Sequence, residues 1–528
     1  MPRRLPHLLI MLLAVAFVAN LYWSMKHAFI VAFVCCAGLG LFLHCLSPAV
    51  ARQITWRALV VTMGLPVLAW ALPNVWLLYF AMVVWVPLVA ARTAFVTPVY
   101  LYSLLLLPAL DSTVALGSLK LFDLGVHDAL AIGAAVALCV TSSKGRPGLA
   151  IDIPVVAALL VLSIALARDT TITNILRLVI NIGIDLGLPY YIVSRGIRTV
   201  DEFRVTLLWL GCGAITLSAI LVYEAWKAWP IYNELYGQYG VPTLLLVKSR
   251  GGLLRSGGPF VEPTSAAMVL TICIVALWLS RDFFRARWSY WLIMATALVG
   301  LSAPQSRGAW IGLVTAMVAA LLFRRQYAAL VRLTVVVGLL GTSVLAAAQF
   351  SPFLSEMTGQ SGNSSESGEY RKLLLERGMQ EFWHSPIFGY SMPEATRRLS
   401  DLTQGEGIVD FVNTYLWLLL ISGVVGTGIF FGTYLFLMLN MGKLRRPRPE
   451  LPGAVPAATF VFAILAMLAE MLFFTSFGGR AAIFVFVLFG CSAALWGIRR
   501  THRVPAAPHA PEQSTPGAGA PSLARAGG

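Results

Sequence analysis

Charge is what this chain has least of. Asp, Glu, Lys and Arg make up 12% of its 528 residues and 58% are hydrophobic, against about 25% charged residues in soluble domains. So little charge cannot keep a soluble enzyme's surface wet, and so much apolar side chain does not stay disordered. Cysteine is absent from the loops. Cys35, Cys36, Cys45, Cys139, Cys212, Cys273 and Cys491 all fall inside apolar stretches. That excludes a disulfide framework and a cysteine zinc site, and no metal is expected. No glycine-rich phosphate loop is present, which argues against an ATP-driven pump. No repeat of fixed period is found. The basic N-terminus, Pro2-Arg3-Arg4, leads into an apolar run without a small-x-small cleavage site. It reads as an uncleaved first span.

Long apolar runs are what the chain does have. A crossing takes about 20 apolar residues. Runs of this kind begin with 7–23 and 28–46, include 174–194, and end with 481–498. They predict an all-α polytopic transmembrane bundle of about 12 to 16 spans with a partly helical outer loop. The net charge of +15 fits that class. With both termini placed in the cytoplasm, alternation puts Arg52/Arg57, Arg92, Lys144/Arg146, Arg195/Arg198/Arg204, Arg281/Arg285/Arg287, Arg324/Arg325/Arg332 and Lys443/Arg445/Arg446/Arg448 on one side. Cytoplasmic loops collect lysine and arginine in this way, so the charge sets topology and calls for no nucleic acid.

Two long segments face the other side, about 224–260 and 351–410. The second holds nine acidic residues against five basic ones. Within it 359–368 reads as a flexible linker, 370–383 as a helix, and 386–390 as its break. The chain divides into an N-terminal bundle (1–250), a core with the outer loop (251–440, loop 351–410), C-terminal helices (441–498), and a Pro/Ala/Gly-rich disordered cytoplasmic tail (499–528).

Arginines on the outer side run against the charge bias. Arg255 sits in Leu254-Arg255-Ser256-Gly257-Gly258-Pro259-Phe260-Val261-Glu262-Pro263. Arg307 sits in a very short turn, Ser306-Arg307-Gly308. Arg371 and Arg377 lie on the loop helix, and Arg480 follows Gly478-Gly479. Arginine stays charged and grips phosphate with two parallel hydrogen bonds, so such a group suits a lipid-linked diphosphate. The bland alternative for each is snorkelling at the interface. Arg307 resists it, because its turn is too short to be a solvated loop.

The segment Ser306-Arg307-Gly308-Ala309-Trp310 resembles the SRG stretch of the bacterial O-antigen ligase and O-antigen or exopolysaccharide polymerase superfamily. Arg255 with Gly258-Pro259-Phe260 and Glu262-Pro263 resembles that family's Arg–Gly–Phe–Pro stretch. Pro386-Ile387-Phe388-Gly389-Tyr390-Ser391 resembles its P-hydrophobic-hydrophobic-G-x-G turn. Val412-Asn413-Thr414-Tyr415-Leu416, with Gly423 and Gly426 behind, resembles its HN-x-Y-L…G-x-x-G segment. Order and spacing agree over about 250–430. The resemblance implies a glycosyltransferase at the outer face of the bacterial inner (plasma) membrane. Its donor is an undecaprenyl-diphosphate-linked glycan and its acceptor a glycan or lipid, with membrane lipids around it. A glycan flippase and a chain-length regulator are the implied companions.

Two family arginines fall on Arg255 and Arg307, with Arg371 and Arg480 as further diphosphate contacts. The family's histidine falls on Val412, so its base is missing. Asp410 stands close by and Glu262 is the second candidate, with Glu406 and His384 behind them. This departure favours a polymerase over a lipopolysaccharide ligase. An acceptor hydroxyl attacks the anomeric carbon and the diphosphate leaves, stabilised by arginine with no metal or cofactor. As alternatives, Asp410 is a carboxylate near a helix start, and Glu262 caps the next span.

Arg177, Asp185 and Glu470 lie within spans. They read as structural pairs, Glu470 with Arg480. Trp226, Trp229, Tyr232, Tyr236 and Tyr239 read as an interfacial belt or as sugar-stacking rings. A solute transporter of the bicarbonate type is the competing function. It would be expected to show internal repeats and mid-membrane charge.

Overall fold

The computed structural model describes residues 5–116, 119–141, 150–240, 248–359, 363–403 and 409–501. Glu406 and nearly all of the tail expected to be disordered lie outside them. The chain is built almost entirely of helices, as its apolar runs require. The first half comprises α1 (Leu5–Cys45), α2 (Pro48–Ala71), α3 (Val75–Ala90), α4 (Thr93–Leu106), the antiparallel hairpin β1 (Asp111–Leu116) and β2 (Leu119–Gly125), α5 (Val126–Thr141), α6 (Asp152–Ala167), α7 (Ile172–Ile182), α8 (Leu188–Gly196), α9 (Val200–Lys227) and α10 (Asn233–Tyr239). A two-residue ladder follows, β3 (Ser249–Arg250) with β4 (Leu253–Leu254). Then come α11 (Pro263–Leu279), α12 (Arg287–Ser302), α13 (Arg307–Phe323), α14 (Tyr327–Ala348), α15 (Pro352–Thr358), α16 (Asn363–His384), α17 (Met392–Arg398), α18 (Thr414–Met441), α19 (Ala454–Met471) and α20 (Gly479–Thr501).

Among the described residues, eight helices are long and apolar enough to cross a membrane, and six shorter ones are apolar. The centre is formed by α9 and α20, whose apolar side chains are almost all buried. At the other extreme, α14 buries only Ala348 and turns its valines and leucines outward, the surface expected of a helix bathed in lipid.

Hydrogen bonds gather the loops at two opposite ends, as the alternation of the sequence requires. At the basic end Ser47 N donates to Phe283 O, Arg285 N to Cys45 O, and Arg445 to the carbonyls of Leu322 and Phe323. At the other end Tyr239 hydroxyl donates to Ala69 O, Ala109 N to the Tyr236 hydroxyl, and Ser256 N to Ala303 O.

The structure departs from three sequence expectations. First, α1 runs unbroken for 41 residues where two spans, 7–23 and 28–46, are predicted. At about 1.5 Å per residue it is roughly twice as long as a bilayer core is thick. Nothing in the run, neither proline nor glycine pair, stops the helix between Phe17 and Ile30. Second, the 174–194 span is interrupted by a π-helical turn, Gly183–Gly187. Third, the proposed linker 359–368 is helical from Asn363 onward.

A further break lies inside α18. Gly423 has φ 61° and ψ −168°, which splits the helix and frees backbone groups that a membrane interior cannot solvate. The turn 386–390 fits into the gap. Val424 N donates to Pro386 O (2.8 Å), Val425 N to Ile387 O (3.3 Å), and Tyr390 N to Leu420 O (2.6 Å). Arg168 seals the same place, donating to Phe388 O (2.6 Å), Gly389 O (3.1 Å) and Ile421 O (3.5 Å). A Cβ on Gly389 would collide with Leu420 O, and one on Gly423 with Ile387 O. The two motif glycines therefore let one backbone approach another.

Candidate functional site

A cavity of about 510 Å³ opens at the end opposite the basic loops. It is lined by segments far apart in sequence: Lys248, Arg250, Arg255 and Glu262 before α11, Arg307 opening α13, Tyr370 and Arg371 on α16, and Asp410 and Val412 before α18. Of the residues singled out from the sequence, Arg255, Arg307, Arg371, Glu262 and Asp410 therefore line the same cavity. Arg480 does not line it. It is buried, stacked over the Phe260 ring at 5.1 Å, and among the described residues donates only to Leu104 O at 3.5 Å.

Each basic group is held differently. Arg255 Nε donates to Pro304 O (3.2 Å), and Arg250 Nη1 to Gln305 O (2.7 Å). Both are thereby tied to the turn that precedes Arg307. The loop carrying Arg255 is fixed from below by Glu224, whose buried carboxylate accepts from Ser256 Oγ (2.6 Å) and Gly258 N (2.9 Å). Arg307 and Arg371 are the free cations: among the described residues neither has a hydrogen bond or an ion pair. The Arg307 guanidinium rests against Gly359, the left-handed residue that ends α15, where an added Cβ would strike Nη1. Strained backbone flanks the site. Val261 (φ 63°) and Gln305 (φ 52°) lie in the left-handed half of the map, where β-branched valine is rarely found. They present Glu262 and the Ser306-Arg307 turn.

Five cations therefore face two carboxylates across this cavity. Burial, with Arg250, Arg307 and Arg371 adding to it and Glu262 opposing, lowers the Arg255 guanidinium to about 10. Burial and Arg307 also lower Arg371, with Asp410 opposing. Arg255 and Arg371 remain charged at neutral pH, and crowding of guanidinium groups is a standing attraction for a multivalent anion.

Asp410 Oδ1 accepts from Ser476 Oγ (3.0 Å), and its backbone carbonyl accepts from the Tyr370 hydroxyl (3.1 Å). The helix cap is Asn413 instead, whose side chain accepts from Tyr415 N (3.0 Å) and Leu416 N (3.2 Å). Asp410 is thus left to face the cavity. Glu262 occupies the cap position of α11 but makes no side-chain cap bond; its carboxylate lies 3.8 Å from Lys248. His384 is exposed, 3.8 Å from Glu381, and away from the cavity. Arg377 is engaged by Asp401 at 3.1 Å. Lys248 and Arg250 were not singled out in the sequence, although their outward position flags them by the same reasoning as Arg255.

The intramembrane charges also fall differently from expectation. Glu470 makes no pair with Arg480; both its carboxylate oxygens lack a hydrogen-bond partner. Arg177 hydrogen-bonds Asn174, while Asp185 joins a second cavity described below. Tyr232 and Tyr236 are core residues, and the Tyr239 hydroxyl is spent on Ala69 O. Of the five outer aromatics, Trp226 is the most exposed.

No curated protein matches the chain. A family model described as O-antigen ligase matches residues 292–431, about a quarter of the chain, from α12 through the broken α18. That stretch holds Arg307, Arg371, Asp410 and the interlocked glycines Gly389 and Gly423. The match makes this stretch similar to the O-antigen ligase family and supports a role in glycan transfer for O-antigen-type assembly.

Proposed function

We propose that this chain extends an undecaprenyl-diphosphate-linked glycan by transfer at the periplasmic face of the bacterial inner membrane, as a polymerase. The observation that carries the reading is the pair of unpartnered guanidinium groups, Arg307 and Arg371, in a cavity with three further cations. The diphosphate of the donor lies against them. The acceptor hydroxyl oxygen attacks the anomeric carbon, the bond from that carbon to the diphosphate oxygen breaks, and the diphosphate leaves with the electron pair. The hydroxyl proton passes to Asp410. Arginine stabilises the charge that builds on the diphosphate as its bond to the anomeric carbon breaks, so the chemical step is served without a metal.

Asp410 is favoured over Glu262 because Lys248 stands 3.8 Å from the Glu262 carboxylate, whereas among the described residues no cation ion-pairs with the Asp410 carboxylate, which accepts from Ser476 Oγ. Val412 lines the cavity where the family's histidine falls, which supports polymerase over ligase. The position of the cavity at one end of the helices, together with the family match, supports transfer over transport. The test is reconstitution with lipid-linked oligosaccharide. Wild-type protein lengthens the glycan, and Asp410→Asn does so at least ~10²-fold more slowly. Full activity in that variant shifts the base to Glu262. Transfer to lipid A-core alone makes the protein a ligase.

A further inference from the structure

A second cavity, about 450 Å³, is lined by the β1–β2 hairpin, the start of α5, the π-helical turn and the start of α20. Its polar wall is acidic. His127, Asp128 and Asp185 each offer one ligand atom, and these atoms lie within 4.8 Å of one another. Asp128 is 3% exposed. Its Oδ2 accepts from Gly125 N (2.7 Å), while Oδ1 points into the cluster with no hydrogen bond. His127 Nδ1 and Asn181 Oδ1 are also buried without a hydrogen bond.

We propose that His127, Asp128 and Asp185 bind one divalent metal cation. Spacing is the first reason. A structural His–Asp pair closes to hydrogen-bond distance, about 2.8 Å. Here Asp128 Oδ1 stands 3.4 Å from Nε2, and Asp111 Oδ1 stands 3.7 Å from Nδ1. Ligands about 2.1 Å from a common ion sit roughly 3.0–3.5 Å from one another. Charge is the second reason. Two carboxylates set close together, one buried and the other half-buried, need a cation or a shared proton between them. Among the described residues no lysine or arginine ion-pairs with Asp128 or Asp185.

The backbone is the third reason. The π-helical turn Gly183–Gly187 resets the helical phase at Asp185, a device that recurs at functional sites. Glycine at 125 gives the imidazole room, since a Cβ there would collide with the His127 ring. One imidazole with two carboxylates suits Mn²⁺ or Zn²⁺ better than Mg²⁺, and leaves coordination positions open to water or sugar hydroxyls.

The test uses full-length protein in lipid nanodiscs, titrated calorimetrically with Mn²⁺, Zn²⁺ or Ca²⁺ alone. Wild type is expected to bind one cation per chain. Asp128→Asn and Asp185→Asn should each weaken binding at least ~10-fold, and Arg307→Ala should leave it unchanged. Thermal unfolding supplies a second readout. Cation raises the wild-type midpoint, whereas Asp128→Asn raises the cation-free midpoint by removing one of two facing charges and abolishes the response to cation. Absence of saturable binding in wild type overturns the proposal and leaves a carboxyl pair sharing a proton. Binding that both Asp variants retain overturns it too, because the ion then sits elsewhere.

Discussion

The two cavities are alike in size and opposite in sign. One gathers arginine and lysine, the other aspartate and histidine, and they are separated by thin partitions. The turn between α19 and α20 gives Phe474 and Thr475 to the first and Phe477 and Gly478 to the second. The stretch opening α18 gives Val412 to the first and Trp417 to the second, and Trp417 stacks on Phe477 at 5.8 Å. Charge alone therefore does not mark the site of a membrane enzyme. What distinguishes the cavities is which groups remain unpartnered: guanidinium in one, carboxylate and imidazole in the other. On the two proposals made above, the first takes an anion and the second a cation.

Mutations can separate the two. Arg307→Ala should have the largest effect, slowing glycan extension on the order of 10³-fold at normal membrane abundance, because it removes a charged donor from the leaving diphosphate. Polymer of wild-type length in that variant would sink the role of Arg307. Asp410→Asn comes next, at about 10²-fold in single-turnover extension. Gly359→Ala should cost about tenfold in rate: it forces a left-handed alanine and pushes the Arg307 guanidinium out of place. If Gly359→Ala also altered cation binding, the cavities would be coupled and the contrast would fail. The smallest effect on chemistry is expected from Arg168→Ala. It strips the seal from the break in α18, so the thermal midpoint falls by several degrees while extension per folded molecule stays within a few-fold. A large rate defect with an unchanged midpoint would put Arg168 in the reaction instead.

Much of the arginine cavity was legible because it rests on a bias that sequence carries openly. Positive residues avoid the outer face, so Arg255, Arg307 and Arg371 stood out one by one. Burial is not carried that way. Arg480 looks as outward as Arg307 in sequence, yet it is buried against the Phe260 ring, because only the fold decides which outer-end residue is covered. The acidic cavity was illegible for a related reason. No motif marks His127 and Asp128, and Asp185 reads as a structurally paired charge within a span. They meet through a hairpin and a π-helical turn, features that apolar periodicity does not encode. Hydropathy likewise scores α14 and α20 almost equally, though one is bare and the other is core.

The break at Gly423 has a consequence for how the protein is made. Until the turn 386–390 is in place, the two halves of α18 carry amide and carbonyl groups with nothing to bond. Chain order puts 386–390 first, so the turn is synthesised before α18 enters the membrane. The outer segment then acts as a template waiting for the helix. Deleting it would leave α18 without a conformation that lipid tolerates, and the loss would appear as failed insertion before any lost activity could be measured.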